Sequence, residues 1–188
     1  MIVIISSPSG AGKSSICKNL LKLDARLKIS ISDTTRIPRD NEVSGKDYNF
    51  ISEKKFKEKI NNQKYAEYAS VFGNFYGSLH SNVAELLNNG FDVLFDIDWQ
   101  GAQQLKKSSY TNILSFFIIP PSKDVIYQRL LSRSVLSGDN EEAINRRMSF
   151  YDTEISHQDE YDHVVINDNL DDCTQTIYEL IQKKRFLI

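Results

Sequence analysis

A lysine and a hydroxyl residue end a glycine-rich loop near the start of the chain. The loop reads Ser7, Pro8, Ser9, Gly10, Ala11, Gly12, Lys13, Ser14 and Ser15. Glycines let several backbone N–H groups converge on one anion, while the lysine reaches the outer phosphates and the Ser14 hydroxyl joins a Mg²⁺ shell. The spacing fits the G-x-x-x-x-G-K-[ST] pattern except at Ser7, which replaces a glycine. The loop therefore predicts binding of a nucleotide polyphosphate together with Mg²⁺.

Two arginines three residues apart form a second cationic feature. Arg36 and Arg39 flank Pro38, which stiffens the backbone between them, so that the pair could hold a second phosphate in bidentate fashion. Taken alone, the pair favours a solvated charged turn over a phosphate site. The phosphate loop alone is likewise compatible with a GTPase, an ATPase motor or a kinase.

Two carboxylates follow an apolar run. Asp96 and Asp98 come after Phe91–Phe95, and residues at positions i and i+2 of a strand point to the same face. Ligands of doubly wound sheets bind where the strands end. We therefore predict that Asp96 acts on Mg²⁺, through water. The alternative is that the two carboxylates only cap the helix that follows.

Short apolar runs alternating with helical patterns must position these side chains. Strands are predicted over Ile2–Ile5, Leu27–Ser32, Phe91–Ile97, Ile113–Ile119 and His163–Ile166. Helices are predicted over Ile16–Leu23, Ser81–Asn89, Trp99–Lys107, Ser122–Arg133, Glu141–His157 and Asp171–Phe186. This alternation predicts an α/β fold built on a doubly wound, mainly parallel sheet.

Two regions interrupt the alternation. Residues 33–80 carry short antiparallel-strand patterns around a helix over Glu53–Ile60, which predicts an inserted α+β subdomain. The segment Ser132–Asn140 is small and polar and lies between two arginine-bearing helices, which is typical of a mobile lid. We therefore divide a single domain, 1–188, into a core (1–32, 81–127 and 160–188), the subdomain (33–80) and a helical lid region (128–159).

Composition and charge exclude several classes of function. A chain of 188 residues fits one domain, and a net charge of −2 provides no overall field toward nucleic acid or anionic membranes. Apolar runs are far shorter than the ~20 residues of a membrane span, and the first strand begins without a basic leader. Cys17 and Cys173 form neither a disulfide framework nor a metal-binding pair. We predict a cytoplasmic protein without nucleic-acid, membrane or obligatory protein partners.

The motifs, in their order along the chain, resemble those of the guanylate kinase family. The resemblance covers essentially the whole chain and includes Ser32, Thr34-Thr35-Arg36, Arg39, Glu42, Gly45, Tyr48, Phe50, Glu67, Tyr76-Gly77-Ser78, Asp96 to Ala102, Arg129-Leu130, Arg133, Ile144, Arg147-Met148 and Val165 to Asp168. It implies a P-loop nucleoside monophosphate kinase. The implied reaction is Mg²⁺-dependent transfer of the ATP γ-phosphoryl group to GMP, giving ADP and GDP, in purine nucleotide metabolism and GMP recycling.

The resemblance also implies roles for individual residues. ATP contacts are implied for Ser7 to Ser15 and Asn167, acceptor-phosphate contacts for Arg36, Arg39, Tyr48 and Tyr76, guanine contacts for Ser32, Glu67, Ser78 and Asp98, metal contacts for Ser14 and Asp96, and catalysis for Lys13, Arg36, Arg133 and Arg147. Guanine presents two adjacent donors that one carboxylate can accept, whereas adenine presents an acceptor at N1. Glu67 would therefore favour guanine.

Two alternatives stay open. A guanylate-kinase-like module that had lost catalysis could bind phosphorylated partners, although the intact Gly10, Gly12, Lys13 and Ser14 argue against it. A kinase for another nucleotide, such as AMP or dTMP, is the second.

Overall fold

The computed structural model describes residues 1–40, 42–137 and 140–187, with the side chains of residues 133–137 excepted. Along the chain its elements are β1 (Ile2–Ser6), α1 (Lys13–Leu23), β2 (Leu27–Ile29), β3 (Asp33–Thr34), β4 (Asn49–Phe50), α2 (Glu53–Asn61), β5 (Tyr65–Val71), β6 (Asn74–Leu79), α3 (His80–Asn88), β7 (Asp92–Asp96), α4 (Trp99–Lys107), β8 (Ile113–Ile119), α5 (Lys123–Ser137), α6 (Glu141–Ser149), α7 (Tyr151–Ile155), a short 3₁₀ helix (Gln158–Glu160), β9 (His163–Ile166) and α8 (Leu170–Phe186). Within this described part, no helix is long and apolar enough to cross a membrane.

A five-stranded parallel sheet with the order β2-β7-β1-β8-β9 forms the core. Its central strands are continuous apolar runs, as expected for strands that helices cover on both faces. Strand β2 ends at Ile29, earlier than the predicted Ser32, because the chain leaves this sheet to enter β3 in a second one. The prediction of an α/β fold with a doubly wound parallel sheet is confirmed.

The side chains of β1 divide between the two faces of this sheet. Val3 and Ile5 pack in the cluster that includes α1 and α8, whereas Ile2 and Ile4 pack in the cluster that includes α3 and α4. All four are almost completely buried. Because truncating a buried Ile to Ala removes about 2–5 kcal/mol of stability, β1 anchors the loop that follows it.

Four strands within residues 33–79 form a second sheet with the order β4-β3-β6-β5. Strands β5 and β6 form an antiparallel hairpin, β6 pairs antiparallel with β3, and β3 pairs parallel with β4. Helix α2 packs on the sheet through Phe56, whose ring stacks on Tyr65 at 4.5 Å and on Phe75 at 5.3 Å. Helix and sheet together have the α+β character predicted for this region. The domain bounds themselves stay a prediction.

Most of the predicted lid segment, Ser132–Asn140, is helical. Helix α5 continues to Ser137, so the expectation that it ends at Arg133 is wrong; no Gly or Pro interrupts residues 123–137. Gly138 and Asp139, also part of the predicted segment, lie outside the described residues. The single helix predicted over Glu141–His157 is instead divided into α6 and α7.

Candidate active site

The carboxyl ends of β1, β7 and β9 open into a cavity of about 670 Å³. Its walls also include the second sheet and α6. Of the predicted site residues, those that line it are Ser7, Pro8, Ser9, Gly10, Gly12, Lys13, Ser14, Ser15, Ser32, Arg36, Arg39, Tyr48, Glu67, Tyr76, Asp96, Asp98, Arg147 and Asn167. Ala11 and Ser78 do not line this cavity, and the side chain of Arg133 lies outside the described residues. The fold thus brings together residues from distant parts of the sequence.

The glycine loop wraps tightly between β1 and α1. Gly12 has a φ of 97°, and a Cβ there would lie 2.3 Å from Asn167 Nδ2, so both the backbone and the space require glycine. Gly12 also begins α1 with no side chain from the described residues capping its first turn. The Ser15 N–H donates to the Gly12 carbonyl at 3.1 Å, which leaves the N–H groups of Lys13 and Ser14 available to an anion.

Asn167 and Arg129 support the glycine loop through hydrogen bonds. Asn167 Nδ2 donates to the Ala11 carbonyl at 2.7 Å, and Arg129 Nη2 donates to the Asn167 carbonyl at 3.0 Å. Ala11 is fully buried and Asn167 nearly so. Asn167 and Arg129 therefore support the shape of the loop, and Asn167 does so in addition to the contact with ATP that is predicted for it.

Lys13 is paired with a carboxylate of the protein itself. Its Nζ lies 2.6 Å from Asp96 Oδ1 and donates to the Ile97 carbonyl at 3.2 Å. Burial lowers the pKa of Lys13, but Asp96 more than reverses this effect, so that the pKa is raised above its ordinary value. The ammonium group is therefore charged and points into the end of the sheet.

Arg36 and Arg39 share Glu42. Arg36 Nη2 lies 2.8 Å from Glu42 Oε1, and Arg39 Nη1 lies 3.5 Å from the same oxygen. The guanidinium of Arg36 also lies over the rings of Tyr48 and Phe50, at 5.6 and 5.9 Å from their centroids. Burial acts to raise the pKa of Glu42, yet Arg36 holds it below its ordinary value. The arginine pair is thus a built feature of the cavity wall and is not a solvated turn.

Glu67 is the most unusual polar group of the site. It lies on β5 with 2% of its surface exposed, and its Oε1 has no hydrogen-bond partner among the described residues. Burial raises its pKa to about 7, Asp98 adds to the rise, and Ser78 acts against it. Across the wall, a Cβ on Gly101 would lie 2.4 Å from Glu67 Oε2. A buried acceptor without a partner is suited to a ligand that brings its own donors.

Three polar residues surround this carboxylate. Ser32 Oγ and Ser78 Oγ are 3.0 Å apart and buried. Asp98 caps α4, its Oδ1 accepting from the Gly101 N–H at 3.0 Å and its Oδ2 from Gln100 Nε2 at 2.8 Å. Asp98 therefore performs the capping role considered as the alternative, while it also lines the cavity.

Several residues that line the cavity were not predicted as site residues, and two of them, Glu154 and Phe72, contact the phosphate loop or Arg147. Glu154, on α7, accepts from the Ser9 N–H at 3.1 Å, and burial raises its pKa to about 7. Phe72, in the turn between β5 and β6, lies with its ring 5.1 Å from the guanidinium of Arg147. Arg147 Nη1 in turn donates to Ser9 Oγ at 3.3 Å. The Phe72-Gly73 pair between two strand patterns could have indicated the turn; Glu154 had no comparable signal.

Oxygen donors near the loop suit a metal that arrives with a nucleotide. Within the described residues, no group of three or more His, Cys, Asp or Glu side chains could hold an ion. Ser14 and Asp96 supply a hydroxyl and a carboxylate at the same cavity. Mg²⁺ is commonly bound by one or two such protein oxygens together with substrate phosphates and water. The residues present fit that mode of binding.

Comparisons with known proteins agree with this geometry. The guanylate kinase family model matches residues 1–184. The chain belongs to the guanylate kinase family. A guanylate kinase of Rickettsia felis is 49% identical over 185 residues, covering 98% of this chain and 94% of that protein. The guanylate kinase of Paramagnetospirillum magneticum is 41% identical, covering 98% and 85%. A crystal structure of guanylate kinase from Anaplasma phagocytophilum has a TM-score of 0.81 at 30% identity, covering 98% and 85%.

Membership of the guanylate kinase family confirms the predicted activity. The chain is a nucleoside monophosphate kinase, and the reaction of its family is phosphoryl transfer from ATP to GMP. The roles of single residues, the domain bounds and the identity of the metal stay predictions.

Proposed function

We propose that the cavity carries out Mg²⁺-dependent transfer of the ATP γ-phosphoryl group to GMP, with the two nucleotides bound to opposite walls. One observation carries this assignment: a buried carboxylate oxygen of Glu67, without a partner among the described residues, lies in the same cavity as the phosphate loop. The loop accounts for a polyphosphate, and the carboxylate accounts for a base with two adjacent donors. The cytoplasmic location and the place in purine nucleotide recycling stay predictions.

On the donor wall, Lys13 exchanges one anionic partner for another. Asp96 now neutralises its ammonium group at 2.6 Å, and ATP phosphates would replace this partner when the nucleotide binds. Asp96 is then available, with Ser14, to hold Mg²⁺, which would supply positive charge to the phosphates. The N–H groups of Lys13 and Ser14, at the start of α1, would donate hydrogen bonds to the remaining phosphate oxygens.

On the acceptor wall, Arg36 and Arg39 bind the GMP phosphate beside Tyr48 and Tyr76. Tyr48 and Tyr76 pack edge to face with their ring centroids 5.8 Å apart, and Arg36 lies against Tyr48, so this group is already ordered. The acceptor is an anion before the reaction begins, and therefore no general base is needed. Catalysis consists of positioning and of charge stabilisation.

Arginines from the lid region complete the arrangement. Arg147 reaches the phosphate loop at Ser9 and is therefore placed near the ATP side of the cavity. We assign Arg133 a parallel role on the basis of the family resemblance alone. Together with Lys13 and Arg36, these cations oppose the repulsion between two nucleotide anions as they approach.

An acceptor series tests this function directly. ADP release is measured with GMP, dGMP, AMP, UMP and dTMP for the parent, for Glu67→Gln and for Glu85→Gln, a matched control on the exposed face of α3. We expect guanine acceptors alone to be turned over, and Glu67→Gln to lower kcat/KM for GMP by about 1,000-fold while ATP binding is retained. Equal loss of ATP binding and GMP use would show that Glu67 is structural. Absence of turnover with every acceptor would favour a binding module.

A further inference from the structure

The turn between β5 and β6 has an unfavourable residue in it. Val71 pairs with Asn74, so the loop contains only Phe72 and Gly73, with φ values of 49° and 82°. Two-residue turns with both φ values positive favour Asn or Gly at the first position. A bulky aromatic residue in the left-handed region is a strained exception. The sequence therefore keeps Phe72 against the local preference of the backbone.

The contacts of the Phe72 ring indicate why a strained residue is kept in this turn. It lies 5.1 Å from the Arg147 guanidinium and packs edge to face on Phe150, with centroids 5.6 Å apart at 79°. Phe72 lines the active-site cavity and is half-buried. The hairpin belongs to the subdomain that carries Glu67, whereas Arg147 and Phe150 lie on and just after α6. One strained residue thus joins the acceptor wall to the lid region.

Arg147 is held from two sides. Its guanidinium lies over the ring of Phe72, and Ser9 of the phosphate loop accepts a hydrogen bond from its Nη1 at 3.3 Å. We propose that Phe72 is a positioning residue that aims Arg147 at the transferred phosphoryl group and couples its position to the acceptor subdomain. This inference rests on the proposed function, because it requires Arg147 to act on the phosphates.

Strain and function make opposite demands at this position, and Phe72→Asn separates them. Asparagine suits the left-handed turn but lacks the ring, so we expect the melting temperature to rise by about 2–4 °C and kcat to fall about 10-fold. Phe72→Tyr keeps the ring, and we expect it to retain kcat. The matched control is Gln63→Asn: among the described residues, Gln63 is the other non-glycine with positive φ, 51°, and it is exposed after α2. This control should raise the melting temperature without changing kcat.

The same measurements in an Arg147→Ala background identify the route of the effect. If Phe72 acts through Arg147, Phe72→Asn should lower kcat in the parent and change it by less than about 2-fold in Arg147→Ala. A full 10-fold loss in both backgrounds, or none in either, would overturn the role of Phe72 and leave the proposed function intact. An Arg147→Ala variant with parental kcat would instead overturn the assignment of Arg147, and the inference with it.

Discussion

The phosphate loop and the acceptor wall prepare for their ligands in opposite ways. At the loop, groups that would face an anion already have carboxyl partners in the protein: Lys13 has Asp96, and the Ser9 N–H has Glu154. On the acceptor wall, the buried carboxylate of Glu67 keeps one oxygen without a partner among the described residues. On the proposed assignment, binding at the loop would be an exchange of partners, whereas binding at Glu67 would give a hydrogen-bond partner to an oxygen that has none in the described residues.

This difference assigns separate tasks to the two walls. An exchange of one anion for another yields modest net affinity and little selectivity among nucleotides that share a triphosphate. A desolvated acceptor discriminates strongly, because a wrong base leaves it unpaired. The comparison predicts that the loop controls rate and that Glu67 controls choice of acceptor.

Removing the loop cation should have the largest effect. We expect Lys13→Met to lower kcat by about 1,000-fold, since charge stabilisation at the reacting phosphates is lost. Steady-state kinetics with GMP measures the loss. The same change leaves Asp96 without its cation, so a thermal melt should show destabilisation that Lys13→Met/Asp96→Asn partly reverses. Reversal of the kinetic loss as well would contradict a direct role of Lys13 on phosphate.

The buried carboxyl group of Glu67 should make the free energy of unfolding depend on pH. Its pKa is about 7 in the fold, above the ordinary value of 4.5, so its favourable contribution is complete below pH 4.5 and is lost as the pH rises toward 7. Gln cannot ionise. Between about pH 4.5 and 8, urea unfolding should therefore show the stability of Glu67→Gln shifting by about 3 kcal/mol relative to the parent, in favour of the variant. A stability difference between the two proteins that did not change with pH would show that the pKa of Glu67 is not raised.

The same titration should govern GMP affinity. The guanine donors need the ionised carboxylate, and the ionised fraction of a group with pKa about 7 falls roughly 10-fold between about pH 8 and 6. We expect calorimetry to show GMP binding that weakens by about this factor at the lower pH and that releases a proton. In Glu67→Gln this component should vanish, leaving only the titration of the GMP phosphate. An identical pH profile in the two proteins would refute the linkage.

The smallest effect is expected at Glu154. Its carboxylate accepts a hydrogen bond from the Ser9 N–H, so Glu154→Gln removes a charged competitor of the ATP phosphates. We expect ATP to bind about 3-fold more tightly, corresponding to roughly 0.6 kcal/mol. Titration of a fluorescent ATP analogue measures this change, with the exposed Glu141→Gln on α6 as control. Weaker binding would show that Glu154 supports the loop and does not compete with the nucleotide.

The framework of the protein was predictable from its sequence to a large extent. The bounds of α4, β8 and β9 match the predictions, because apolar runs and helical periodicity are local signals. The loop was recognisable from spacing. The extension of α5 through Ser137 was missed because its last residues are largely small and polar, which is typical of a loop. No Gly or Pro interrupts this stretch, so the helix continues through it.

The second sheet and the lid contacts were less accessible. Phe72 and Glu154 line the cavity because the hairpin, α7 and the phosphate loop come together in the folded protein. No pattern of neighbouring residues in the sequence indicates these long-range contacts. The pairing of Arg36 and Arg39 with Glu42 is local, yet its meaning depends on the buried rings around it. Tertiary packing, which single-sequence periodicity does not encode, accounts for these residues.

Gly101 has a practical consequence for anyone who engineers this enzyme for heat resistance. A glycine inside a helix is a standard target, since alanine there ordinarily adds up to about 1 kcal/mol. In α4, however, the added methyl carbon would lie 2.4 Å from Glu67 Oε2. The substitution would displace the carboxylate that we propose selects the acceptor, and on that proposal a routine stabilising change would alter substrate preference.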